Sequence, residues 1–189
     1  MSPRRSALRT RLTAIGYGIF YRLPHKTRLR LVRLATPKYT VGAVILVFDV
    51  GADPDGPPRR ILLLRQPPGR GWTLPAGLLN RGETPLEGAV REAAEETGIE
   101  FSPEQLVPAA PNAVVHTNGR WIDTVFTARV DAEAVKLSVD GAEVWEAAWH
   151  PLDELPKLTV ATGRLLSNYG VVPADRPAGG SPERLPGHG

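Results

Sequence analysis

The segment Gly77–Ile99, GLLNRGETPLEGAVREAAEETGI, constrains this chain more than any other. It holds five glutamates and two arginines in a loop followed by a helical stretch. Glu92, Glu95 and Glu96 stand at i, i+3 and i+4, a spacing that turns three carboxylates to the same side of a helix. Like charges so placed repel one another, and a solvated helix gains nothing from them. A divalent cation converts the repulsion into attraction, and hard oxygen donors suit Mg²⁺ or Mn²⁺.

The local signals predict the helix independently. Thr84 and Glu87 have capping-box spacing, Pro85 falls at the first helical position, and Gly98 supplies the stop. At 100° per residue, Leu86, Val90, Ala93, Ala94 and Thr97 gather on one side and the three acids on roughly the opposite one. The helix is therefore expected to bury an apolar face and present an acidic one. The two glycines of GLLNRGE suit a tight loop that returns Glu83 toward that acidic face.

This segment resembles the Nudix box: Gly, five residues, Glu, seven residues, Arg-Glu, an aliphatic, any residue, Glu-Glu, any residue, Gly, an aliphatic. Gly77, Glu83, Arg91, Glu92, Ala93, Glu95, Glu96, Gly98 and Ile99 fill it, with Ala93 small for its slot. An ordinary charged surface helix would explain the amphipathicity but not the upstream Gly and Glu. The resemblance implies an α+β fold, a mixed β-sheet in an α/β/α sandwich, over about residues 40–170. The surrounding pattern agrees. VGAVILVFDV (41–50) and RILLLRQ (60–66) read as buried strands, and residues 112–130 as a hairpin turning at Asn118-Gly119. Residues 143–156 read as a strand running into a turn, and Val160–Tyr169 as a last helix. From Val171 onward Pro, Gly, Ser and charge predict a disordered tail, 171–189.

The resemblance also implies a chemistry: metal-dependent hydrolysis of a nucleoside diphosphate linked to another moiety. Glu92, Glu95 and Glu96 are then the expected metal ligands, with the Ala76 carbonyl a further one. One of these acids, or Glu83, assists deprotonation of water. Arg91 is expected to hold a box carboxylate, its planar fork fixing orientation, and Gly77 to be structural. Outside the box, Glu143 or Glu146 is a candidate to complete the site. Arg65 is a candidate for phosphate, and Trp72, Trp121 and His116 for stacking on a base. LPAG (74–77) resembles the entry of sugar-nucleotide enzymes, favouring nucleoside-diphosphate sugars such as ADP-ribose. Nucleoside triphosphates are the alternative substrate, and a non-catalytic nucleotide-binding regulator is the alternative class. Loss of box acids would mark the regulator, and none is lost here.

Composition adds a division within the chain. Of 189 residues, 42% are hydrophobic, as in a globular protein, and the absence of cysteine excludes disulfides and thiolate metal sites. Residues 1–40 carry ten Lys or Arg and no acid, whereas 41–189 carry thirteen against twenty, a net of −7. Residues 1–38 are expected to form a basic helical extension. Leu8, Leu12, Ile15, Ile19 and Leu23 follow helical spacing up to Pro24, and Lys26–Ala35 makes a second helix. The plainer expectation packs both against the catalytic domain. The sharper one gives the arm a contact with anionic membrane, nucleic acid or a partner chain; a homodimer is a separate expectation for the chain. The uncharged stretch between Arg11 and Arg22 is short for a signal peptide and no small-x-small site follows, so a cytoplasmic location is expected.

Overall fold

The computed structural model describes residues 3–116 and 119–173. The chain divides into two compact units, residues 1–39 and 40–189. The first consists of α1 (Pro3–Arg22) and α2 (His25–Ala35), separated at Pro24 as the sequence predicts. Arg28 stands over the Tyr21 ring at 5.8 Å and so ties α2 to the end of α1.

The second unit is built on β1 (Thr40–Asp49), β2 (Arg60–Arg65), β3 (Trp72–Thr73), β4 (Ala76–Leu78), β5 (Val107–His116), β6 (Trp121–Val130) and β7 (Glu146–Pro151). β1 runs parallel to β6 and antiparallel to β2 and β4, so the sheet is mixed. Its main path is β3-β2-β1-β6-β5, with β4 also on β1 and β7 on β2. The near-continuous apolar run of β1 follows from burial on both faces. Ala43, Ile45 and Val47 face one layer with Ala89 and Ala93 of helix α3 (Pro85–Thr97). Val44 and Leu46 face the other with Leu165 and Leu166 of helix α4 (Val160–Asn168). This is the expected α/β/α sandwich.

The hairpin forms between β5 and β6, with His116 opposite Trp121. Gly119 lies in its turn, and the predicted turn residue Asn118 lies outside the described residues. One boundary is corrected. Val172 is buried and packs in the α4 layer, so the folded unit extends beyond 170. The remainder of the expected tail, 174–189, lies outside the described residues. Among the described residues no helix is long and apolar enough to cross a membrane.

Candidate active site

The site is assembled where β4 delivers the chain into α3. Thr84 caps α3: its hydroxyl accepts the Glu87 N–H, and the Glu87 carboxylate accepts the Thr84 N–H at 2.8 Å. Pro85 begins the helix and Gly98 ends it at φ +75°. Both ends are thus fixed by residues read from the sequence, which sets the rotation of the helix and with it the direction of each glutamate.

Arg91 organises four of the groups around it. Its Nε donates to Glu83 Oε1 at 2.8 Å, and Nη2 donates to Glu83 Oε2 at 3.0 Å. Nη1 donates to Glu92 at 2.7 Å and to Glu95 at 2.8 Å, and Nη2 also reaches the Leu78 carbonyl at 2.9 Å. The fork therefore locks the loop carboxylate, two helix carboxylates and strand β4 into one frame. Glu83 accepts the Asn80 N–H as well, at 2.7 Å. Hydrogen bonding from Arg91 first, then from Asn80, holds its pKa down at about 2. Arg91 itself is raised, chiefly by Glu83.

Gly77 is required for steric reasons. A Cβ there would stand 1.9 Å from the Glu92 carboxyl, so the strand passes directly beneath that carboxylate only because the side chain is missing. Gly88 serves similarly, its open side filled by Leu79 and Glu83.

Glu96 corrects the expectation of three acids exposed on one face. It is only 7% exposed, whereas Glu95 is exposed and Glu92 intermediate. At 100° per residue Glu96 lies about 60° from Ala93, close enough to the core edge for the sheet to cover it. Ala89, rather than Ala94, joins Ala93 in the fully buried row, and Ala93 is small because the sheet lies close above it. The Glu96 carboxylate accepts the Ala76 N–H at 2.8 Å and Gln66 Nε2 at 2.6 Å. Burial, with the charges of Glu92 and Glu143 added, pushes its pKa up to about 7 against these two hydrogen bonds. Gln66 was not singled out by sequence reading. Its only signal was its place directly after the apolar run of β2.

The weaker candidates separate. Glu143 lies on a loop where Asp140 Oδ1 accepts the N–H groups of Ala142, Glu143 and Val144. Its charge is the last of the causes that raise the Glu96 pKa. Glu146 stays on β7 beside Arg65, 4.0 Å away. Trp72 is engaged in packing: its ring meets His150 edge-on at 4.3 Å, and its backbone bonds Lys157 and Thr159. His116 and Trp121 are brought together with each other, both bonded to the Asp123 carboxylate.

Residues 38–169 match the model of the NUDIX domain. The chain belongs to that family. It is 38% identical over 86 residues to the 8-oxo-dGDP phosphatase NUDT18 of Homo sapiens, covering 45% of this chain and 25% of that protein. It is 37% identical over 120 residues to MutT4 of Mycobacterium tuberculosis, covering 61% of this chain and 47% of that one. The alignments thus span from a quarter to about half the length of these relatives. Among solved structures, a MutT NUDIX hydrolase from Burkholderia pseudomallei superposes with a TM-score of 0.54 at 26% identity, over 70% of this chain and 98% of that one.

Proposed function

We propose that this chain is a divalent-cation-dependent hydrolase of the pyrophosphate linkage in a nucleoside diphosphate joined to another moiety. The observation that carries the reading is the framing of Glu83, Glu92 and Glu95 by one guanidinium, with Glu96 buried beside them. A purely nucleotide-binding protein has no need of all four acids.

Among the described residues, no ready-made group of three ligands is present, and Arg91 Nη1 bridges Glu92 and Glu95. The donor set nevertheless fits Mg²⁺ or Mn²⁺: every candidate donor is a hard oxygen, and Glu96, when ionised, is a buried anion between two like charges. Glu92, Glu95 and Glu96, with the Ala76 carbonyl, would hold the ion. When bound, the cation neutralises charge on the phosphate oxygens and lowers the pKa of attacking water.

The chain's own residues divide the remaining work. Arg91 holds the carboxylates at fixed separations, so little reorganisation accompanies reaction. Glu83, held near pKa 2, is too weak a base to take a proton from water and acts by positioning Arg91 and the Asn80 loop. Proton acceptance then falls to an acid free of the Arg91 frame; with Glu96 assigned to the cation, Glu143 on its Asp140-anchored loop is the one we assign. Arg65 offers a cation to a substrate phosphate in exchange for its long contact with Glu146.

The LPAG entry favours a nucleoside-diphosphate sugar as substrate. The name of the NUDT18 relative favours a second reading, an oxidised nucleoside diphosphate. A phosphate-release screen with Mg²⁺ over sugar nucleotides, diphosphates and triphosphates decides between them. No turnover of any member, with the protein folded, would refute the catalytic assignment.

A further inference from the structure

The ten residues Leu12–Tyr21, LTAIGYGIFY, contain no charge. They form the C-terminal half of α1 up to Arg22, between Arg4, Arg5, Arg9 and Arg11 on one side and Arg22, Lys26, Arg28, Arg30 and Arg33 on the other. Ile15 and Ile19 fall on one side of the helix and Tyr17 and Tyr21 on the opposite one, so the stretch is apolar around its circumference. A helix of that kind belongs in an apolar surrounding. Here, however, Ile15, Tyr17, Ile19 and Tyr21 are 60%, 59%, 57% and 66% exposed. α2 continues the exposure with Leu29, Leu31, Val32 and Leu34. Its Lys26, Arg30 and Arg33 recur at i, i+4 and i+7 and share one face.

We propose that residues 3–35 form a membrane-surface anchor for bilayers bearing anionic lipid. Length sets the mode of contact. Ten helical residues rise about 15 Å, half the ~30 Å of a hydrocarbon core. The stretch is therefore too short to span and, with cations at both ends, lies at the boundary of headgroups and chains. Tyr17 and Tyr21 suit that boundary, where an apolar ring with a polar tip is at home. The arm has ten cations and no acid up to residue 40, so its charge is complementary to an anionic leaflet. A nucleic acid would use the cations equally well but would leave the exposed isoleucines and leucines without a partner, which is why lipid is the occupant assigned.

The test is sedimentation of the full chain with vesicles of phosphatidylcholine alone or mixed with phosphatidylglycerol, across a salt series. Binding to the anionic vesicles only, weakening as salt rises, is expected. Replacing Lys26, Arg30 and Arg33 together by Gln should lower that affinity on the order of a hundredfold. The pair Ile15→Asp and Ile19→Asp should lower it further at low salt, where charge alone would still bind. Unchanged helix content by circular dichroism of the full-length variants shows that the arm remains folded. No sedimentation overturns the proposal. So does loss of a dimer, seen by light scattering, as the only effect of the isoleucine pair. Equal binding of an RNA homopolymer, with both isoleucine substitutions silent, assigns the arm to nucleic acid instead and also overturns it.

Discussion

Replacing Glu96 by Gln separates what the fold prefers from what the site needs. Gln is nearly isosteric. Its amide oxygen can accept the Ala76 N–H, and its NH₂ can donate to Gln66 once that amide turns over. What disappears is the charge. In the cation-free protein the Glu96 pKa lies at about 7 rather than 4.5, because burial first, then Glu92 and Glu143, disfavour the anion. Since the folded state holds the proton more tightly than the unfolded chain, Glu96's contribution is complete below pH 4.5 and is lost as pH rises through about 7. The difference amounts to about 3 kcal/mol at 1.36 kcal/mol per unit. Glu96 is largely buried, so solvent screening removes little of it.

Thermal melts in chelator across pH 4.5–8.5 read this directly. The variant should match the parent at the acid end and exceed it at pH 8 by roughly 6–12 °C, given 2–4 °C per kcal/mol for a domain of this size. Its turnover with Mg²⁺ should fall on the order of 10²-fold or more, as for loss of a metal ligand. A variant more stable and less active than its parent is the expected outcome. A stability difference independent of pH, or a variant less stable at pH 8, would refute the assignment of Glu96 as a buried, charge-crowded carboxylate.

Other substitutions test the rest of the frame. Gly77→Ala should displace the Glu92 carboxylate and lower kcat by about 10²-fold or more, with circular dichroism unchanged; full activity would mean that Glu92 has no fixed position in the reaction. Arg91→Lys keeps the charge but loses the fork that reaches Glu83, Glu92, Glu95 and Leu78 together, so kcat should fall with KM nearly unchanged in steady-state assays. Glu143→Gln should lower kcat by about 10²-fold, while Glu100→Gln, just past the helix, should be silent; equal losses at both would remove Glu143 from the site. Chelation should abolish hydrolysis and Mg²⁺ or Mn²⁺ restore it, and persistence of the full rate in excess chelator would end the cation argument.

The boundaries and chemistry of α3 were legible because they depend on neighbours in sequence. Thr84, Glu87, Pro85 and Gly98 act within one or two turns, and the box spacing carries Glu83 and Arg91 with it. β1 and β2 were legible from their apolar runs for the same reason, whereas the short β3 and β4 and the start of β5 at Val107, ahead of the hairpin expected from 112, carry no such run. What escaped depends on residues far apart in the chain. Gln66 reaches Glu96 across thirty positions and Ala76 across twenty, and no periodicity in either segment announces those bonds. Trp72 looked like a stacking surface because a lone aromatic beside a motif carries no sign of direction; β3 turns it onto His150.

Glu96 shows why a helical wheel is an incomplete guide. The wheel gives its angle correctly, but whether an angle near the edge of the apolar arc is wet or dry is decided by what lies above it. Here β4 and the start of the loop after β2 lie above it, and they bring the two donors that make burial of a carboxylate tolerable. Arg91, one position before Glu92, takes no part in that burial and cannot offset the Glu96 charge by direct contact; its hydrogen bonds go to Glu83, Glu92 and Glu95. Glu96 is thus an acid that the arginine of its helix does not hold, in the driest place, beside two others of the same sign. An ionised carboxylate in that position is stabilised far more by a cation than by either hydrogen bond it makes. On the proposed reading, the feature that weakens the fold at neutral pH is therefore the one that a bound cation would relieve.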